Sequence, residues 1–228
     1  ERPLPSDEDL AALQRRIDEA RRRPRLSIMV LDAMLPGQRL GFNSDNPDFQ
    51  RLAQLGEVAV LGIWRGAALR AGVTAEVSQL GESEWELRGR RHVKIAGPVE
   101  RDSGGSEFPV AQFELVEDQV CEIDVAAARA LPPLVQEWRR LVEGGGFERF
   151  GGQVKGVLED LGPMPPVEAA GELAMWVAAL VNPLPALGVA YEIRPAALTA
   201  ASVSERVQVA LEGIQSSIGH VSGKRPLF

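Results

Sequence analysis

The sequence predicts an α+β protein, with a strand-rich first half, a helical second half and one further helix ahead of both. Two observations carry that prediction. From Leu26 to about Glu117 the apolar residues come in short runs broken by turn residues, and Val73, Ala75 and Val77 alternate with Thr74, Glu76 and Ser78 at the period of a half-buried strand. After about Cys121 the period becomes helical: Leu134, Val135, Trp138, Leu141 and Val142 fall on one face of a helix. Several short strands at this spacing predict a small antiparallel barrel or sandwich.

The elements follow in order. Ser6 can cap a first helix whose opening turn holds Asp7, Glu8 and Asp9, whose last turn holds Arg21, Arg22 and Arg23, and which Pro24 stops. Its apolar stripe of Leu10, Leu13, Ile17 and Ala20 is narrow, so this helix has to lean on something else. Strand-like runs then cover Ile28–Leu31, Val58–Ile63, Val73–Leu80, Trp85–Arg90, His92–Ile95 and Val110–Glu117, with a short helix from Phe49 to Leu55 before the second run. Gly81 to Glu84 makes a hairpin connection, and Arg101 to Glu107 reads as an exposed loop. Pro132 and Pro133 suit a first helical turn, and Gly144-Gly145-Gly146 ends that helix. A second helix is expected from Val167 to Val181 and a third from Val203 to about Ile218, opened by the Ser202-Val203-Ser204-Glu205 capping box. The expected boundaries are a helical extension over residues 1–25, a barrel subdomain over 26–120, a helical subdomain over 121–221 and a tail over 222–228.

Composition excludes more than it assigns. The 32 acidic residues outnumber the 25 basic ones, a formal charge of −7, which does not suit neutralising a phosphate backbone. The longest strictly apolar run, Leu173 to Val181, stops at Asn182-Pro183, far short of the roughly 20 residues that span a bilayer. With Cys121 as the one cysteine there is no internal disulfide framework and no multi-cysteine zinc site. The default reading of Cys121 is a small buried residue. His92 and His220 lack metal-ligand spacing and read as structural or surface histidines. The glycines at 144–146 and 151–152 lack the Gly-Lys-Ser/Thr of a phosphate loop, and there is no nucleophile elbow and no His-Glu-x-x-His. The inventory assigns no catalytic, cofactor-binding or metal-ligating residue and favours a binding or structural protein over an enzyme.

The order of segments resembles a known family. Val30-Leu31-Asp32-Ala33-Met34-Leu35-Pro36-Gly37-Gln38-Arg39-Leu40 resembles the opening of the Lon protease N-terminal domain, where a strand runs into Pro-Gly and a short apolar strand. Gly72-Val73-Thr74-Ala75-Glu76-Val77 and Leu87-Arg88-Gly89-Arg90-Arg91-His92-Val93-Lys94-Ile95 resemble its central strands, and Leu173 to Leu180 and Leu198 to Ile218 its helices. Leu26-Ser27-Ile28-Met29 replaces the usual Leu-Pro-Leu-Phe, His92 stands where an aromatic residue or arginine is commoner, and the first helix is an addition. These residues contain neither the ATPase phosphate loop nor a Ser-Lys protease module, so the resemblance is to a stand-alone or excised LON domain. It implies a PUA-like barrel packed against a helical bundle, and recognition of other polypeptides through an exposed apolar groove whose position the sequence does not fix. The family-motif positions Pro36, Gly37, Gly89, Arg90 and Arg91 are expected to be structural. The first two would shape a turn, Gly89 a bulge or close approach, and the arginines would point to opposite strand faces.

Three functional readings follow. The first is a non-enzymatic adaptor that binds unfolded or degron-bearing clients. The second is a structural or assembly subunit of a larger complex, with the first helix and the segments at 101–107 and 144–152 as docking elements. The third is a small-molecule or RNA binder, against which the acidic charge and the single tyrosine weigh. Neither a cofactor nor a membrane span is expected. Localisation stays open between cytoplasm and an organelle such as plastid or mitochondrion.

Overall fold

The structure, a computed structural model, describes residues 23–224. The expected first helix lies outside the described residues except for Arg23. Six strands, β1 (Arg25–Leu31), β2 (Arg39–Asn43), β3 (Glu57–Trp64), β4 (Ala67–Gln79), β5 (Glu84–Ile95) and β6 (Val110–Leu115), form one sheet in the order β2-β5-β4-β3-β1-β6. Pairing of β5 with β6 closes the sheet into a barrel. The helices are α1 (Asp48–Leu55), α2 (Glu122–Ala128), α3 (Leu131–Gly145), α4 (Gln153–Leu161), α5 (Ala170–Val181), α6 (Arg194–Thr199) and α7 (Val203–Val221). The architecture is thus α+β, a strand-rich half followed by a helical one.

Two expectations about the strands need correction. The barrel is not wholly antiparallel, because β1 and β3 run parallel, with Ile28 opposite Ala59 and Leu31 opposite Gly62. The intervening β2 and α1 supply the length that a parallel crossover needs. The two runs either side of Arg91 are one strand, β5, interrupted by a bulge. The loop at 101–107 is exposed as expected, and it is anchored: Arg51 pairs with Asp102 at 3.0 Å and Asp48 accepts hydrogen bonds from Ser106 Oγ at 3.0 Å and Glu107 N at 2.8 Å.

Local chemistry explains the principal turns and caps. Arg65 and Gly66 both have positive φ, 51° and 81°, the two-residue turn whose twist suits a hairpin between β3 and β4. Ser202 caps α7 by accepting from Glu205 N at 3.1 Å, and the Glu205 carboxylate reaches back to Ala201 N at 2.7 Å. Cys121, expected to be buried, is exposed. It occupies the N-cap of α2, where the Asp124 carboxylate accepts from its backbone N–H at 2.9 Å. The Ser204 hydroxyl and that N–H hold the Asp124 carboxyl below its usual range and tie α2 to α7.

Two cores meet on one helix. On one face of the sheet Met29, Val58, Val60, Val73, Trp85 and Leu87 pack together, and Met175, Ala178 and Ala179 of α5 join them. The other flank of α5, with Leu173, Trp176, Val177 and Leu180, packs against Trp138, Val207 and Ile214 of the helical core. Glu172 is the one residue of α5 that is not buried. This explains its weak helical periodicity, because a helix covered on all sides is apolar all round.

Gly89 lies where the turn before β2 crosses β5, and a Cβ there would stand 2.5 Å from Leu35 O. Replacing Gly89 with Ala forces backbone apart rather than a flexible side-chain end. The substitution should cost about 2–3 kcal/mol in a denaturant titration, whereas Ala at the unobstructed Gly144 should leave the midpoint within experimental scatter.

Candidate functional site

A cleft of about 690 Å³ opens between the barrel and the helices. Its barrel wall consists of the Pro36-Gly37 turn and residues 90–92 of β5. The chain leaving β6 contributes Leu115, Glu117, Asp118 and Val120. The helical wall is the segment Leu161–Pro165, the first turns of α5 and Arg206 of α7. The site therefore draws on six separate stretches of sequence.

The turn is fixed by its own chemistry. Gln38 N donates to Leu35 O at 3.2 Å, with Pro36 and Gly37 (φ 83°) at the central positions, the residue types that a type II turn demands. Gly37 N donates to Gly89 O and Gly89 N to Gln38 O, each at 2.9 Å, so two of the five family-motif residues, Gly37 and Gly89, meet directly. Gln38 carries this turn to the far end of α5. Its side-chain amide donates to Ala179 O at 3.2 Å and Asn182 O at 2.8 Å, and its Oε1 accepts from Leu35 N at 2.9 Å. These carbonyls belong to the helix terminus, where no intrahelical donor reaches them.

The two arginines do not point to opposite faces. Val73 pairs with His92 and Ala75 with Gly89, so Thr74 stands opposite both Arg90 and Arg91. The extra residue breaks the alternation of the strand, and both side chains line the cleft. Thr74 Oγ1 accepts from Arg91 N at 3.3 Å at the bulge. Neither arginine is free. Arg90 pairs with Glu76 and holds its carboxyl below the usual range, and Arg91 Nη2 donates to both Glu57 oxygens at 3.1 and 3.0 Å.

Deeper in the wall, Arg206 Nη1 donates to both carboxylate oxygens of Asp118 at 2.6 and 2.7 Å, and its Nε donates to Ala197 O at 3.3 Å. The Arg206 side chain is only 3% exposed, so the pair is a buried charge and its counter-charge. Gly171 makes room for it, since a Cβ there would sit 1.8 Å from Asp118 Oδ2 and 3.0 Å from Arg206 Nη1. Sequence reasoning missed Asp118, Gly171 and Arg206, which lie far apart in the chain and match no spacing motif. His92 is buried beside them. Its Nε2 lies 2.9 Å from Leu198 O, and because a carbonyl only accepts, the neutral ring carries its proton on Nε2. Burial first, and the Arg206 charge second, lower its pKa from 6.5 to about 4.

Apolar groups complete the cleft. Met175 and Trp176 form its helical side, with Trp176 Nε1 donating to Gly162 O at 3.2 Å. At the rim Leu115 is 43% and Val120 37% exposed, and Met164 is exposed between the two lining prolines, Pro163 and Pro165. Among the described residues no group of three or more His, Cys, Asp or Glu could hold a metal ion, and none of their helices is long and apolar enough to cross a membrane.

Two outcomes test this wall. Asp118→Ala leaves the Arg206 charge buried without a partner and should cost about 3 kcal/mol. Adding Arg206→Met should restore part of that loss, measured by chemical denaturation of both variants. The native state also prefers the neutral form of His92, so its stabilising effect is complete above pH 6.5, the unfolded value, and falls as pH drops from 6.5 toward about 4. That loss should amount to roughly 3 kcal/mol, should be absent from His92→Gln, and should therefore appear in the difference between the wild type and that variant over the same window.

No family model matches the sequence, and no curated protein matches it. Solved structures do. The N-terminal domain of Lon protease from the Mycobacterium avium complex matches with a TM-score of 0.56 and 16% identity, over 84% of this chain and 98% of that one. A Lon N-terminal domain protein from Xanthomonas campestris is matched over 59% of this chain and 89% of that one, at 16% identity and a TM-score of 0.37. The first likeness extends through both the strand-rich and the helical half. With its closed sheet, its bulged central strand and its enclosed helix, the chain is a Lon N-terminal-domain-like protein in its fold.

Proposed function

We propose that this chain binds other polypeptides in the cleft between barrel and helices, acting as a recognition module rather than as an enzyme. The observation that carries the reading is the cleft itself. It is large enough for several side chains, it is edged by exposed apolar residues, and its walls are held by the pair of buried Arg206 with Asp118 and by the Gln38 bonds at the end of α5. Its basic groups support binding over catalysis: Arg90, Arg91 and Arg206 are each engaged by a carboxylate, and His92 is neutral with Nε2 committed to Leu198 O. A base or acid needs an available proton site within reach of a substrate, and these groups are spent on structure. The likeness to Lon N-terminal domains supports the same reading by analogy of fold.

A second reading, an assembly subunit, draws on the β3–β4 hairpin. Ile63 and Trp64 are exposed at its tip, and the Arg65 guanidinium lies 5.5 Å from the Trp64 ring centre. Such residues are enriched where protein partners dock.

One experiment separates the two. Binding of the full chain to a permanently unfolded, fluorescently labelled polypeptide is followed by anisotropy for wild type, Leu115→Asp/Val120→Asp and Trp64→Ser. The recognition reading expects the double variant to weaken binding about 10-fold and Trp64→Ser to leave it unchanged. Unaltered binding by the double variant, with loss in Trp64→Ser, would move the proposal to the hairpin.

A further inference from the structure

Three arginines and three carboxylates line the cleft, but Glu76 and Glu57 engage two of the arginines from outside the lining, and the carboxylates left over identify the kind of segment it takes. Each basic group on its walls already has a partner: Arg90 has Glu76, Arg91 has Glu57 and Arg206 has Asp118. His92 is the remaining basic side chain on the lining, and it is buried and neutral at physiological pH. On the acidic side Asp118 is consumed by Arg206, but Glu117 and Glu172 are both exposed, both line the cleft, and neither has an ion-pair or hydrogen-bond partner among the described residues. They stand on different walls, Glu117 on the chain leaving β6 and Glu172 in the first turn of α5. Around them lie the exposed Leu115 and Val120 and the buried Met175 and Trp176. The vacant interaction capacity of the cleft is therefore apolar surface together with two negative charges.

Resting on the polypeptide-binding reading above, we propose that the cleft selects segments in which apolar side chains flank an arginine or lysine, the cation lying toward Glu117 and Glu172. An acidic residue at that place would meet two carboxylates with no neighbouring cation free to offset them. Discrimination would then come as much from repulsion of acidic segments as from attraction of basic ones. The apolar walls supply affinity, and the two glutamates supply the choice among apolar segments.

The test uses the full chain and three labelled ten-residue peptides of the same leucine, phenylalanine, glycine and serine content, with Arg, Gln or Glu at the centre. Anisotropy titrations are run at two salt concentrations. The Arg peptide should bind about 10-fold more tightly than the Glu peptide, and the ratio should shrink as salt rises. In Glu117→Gln/Glu172→Gln the ratio should fall to about 2-fold or less. Glu172 also lies in the first turn of a helix, where a carboxylate favours the dipole, so Glu117→Gln alone is included and should lower the ratio on its own. If the preference survives in the double variant, it reflects the net charge of −7 rather than the cleft, and the proposal fails. If the three peptides bind equally while Leu115→Asp/Val120→Asp weakens them all, the polypeptide-binding reading holds and the charge selection is wrong. If no peptide binds, both fall.

Discussion

The whole structure depends on α5 being apolar on every side. A helix with a single apolar stripe can lean on one neighbour. One with Met175, Ala178 and Ala179 toward the barrel and Leu173, Val177 and Leu180 toward the other helices has to stand between two cores. Burying it so completely creates a cost at each end, where backbone groups lose their helical partners. At the C-terminal end the Gln38 amide satisfies Ala179 O and Asn182 O, while Asn182 itself donates to Tyr191 O at 2.9 Å and accepts from Ile193 N at 3.0 Å. At the N-terminal end Gly171 admits the Asp118–Arg206 pair against the helix. Gln38 comes from the strand-rich half and Arg206 from the helical half, so the barrel and the helices hold one another around this element.

The cleft is a by-product of that arrangement. Because α5 is clamped at both ends, its first turns form a fixed wall opposite β5, and the bulge at Arg90-Arg91 opens the barrel side facing it. Each ion pair along the cleft has a different worth. Those of Arg90 and Arg91 are exposed and screened, so they shape the surface more than they stabilise it. The Arg206 pair is buried, and there the loss of one partner matters far more than the presence of both.

Much of this was legible in the residue order, because it is written in local patterns. Period-two alternation located β4, helical period located α3, α5 and α7, and Ser202 with Glu205 announced the start of α7. The Pro36-Gly37 turn could be read from residue types alone. What was not legible depends on meetings between distant residues. Arg90 and Arg91 change faces because of a bulge defined by the partner strand, so alternation along β5 misleads. The parallel β1–β3 pairing is invisible to any window shorter than the crossover. Helices α2, α4 and α6 are too short for a clear period and are held by packing rather than propensity. Cys121 was misread because a capping position, set by Asp124, overrides the usual preference of a thiol for the interior. Of the cleft, the barrel-side motif was visible beforehand, whereas Asp118, Gly171 and Arg206 came together only in three dimensions.

The closing of the barrel carries a consequence for how the chain is made. Strands β3, β4 and β5 form a meander whose neighbours follow one another directly, so their pairing can proceed as soon as Ile95 is available. Strand β1 is different. It comes first in the described chain, yet Leu26 pairs with Ala111, and Ile28 N donates to Pro109 O at 2.7 Å. During synthesis the apolar Ile28 and Met29 therefore emerge long before the strand that completes their surroundings. The loop-closure entropy of that late meeting falls on a single event, the arrival of β6. Until then one edge of β1 presents unpaired backbone, and the nascent chain must be kept from pairing that edge with another copy of itself.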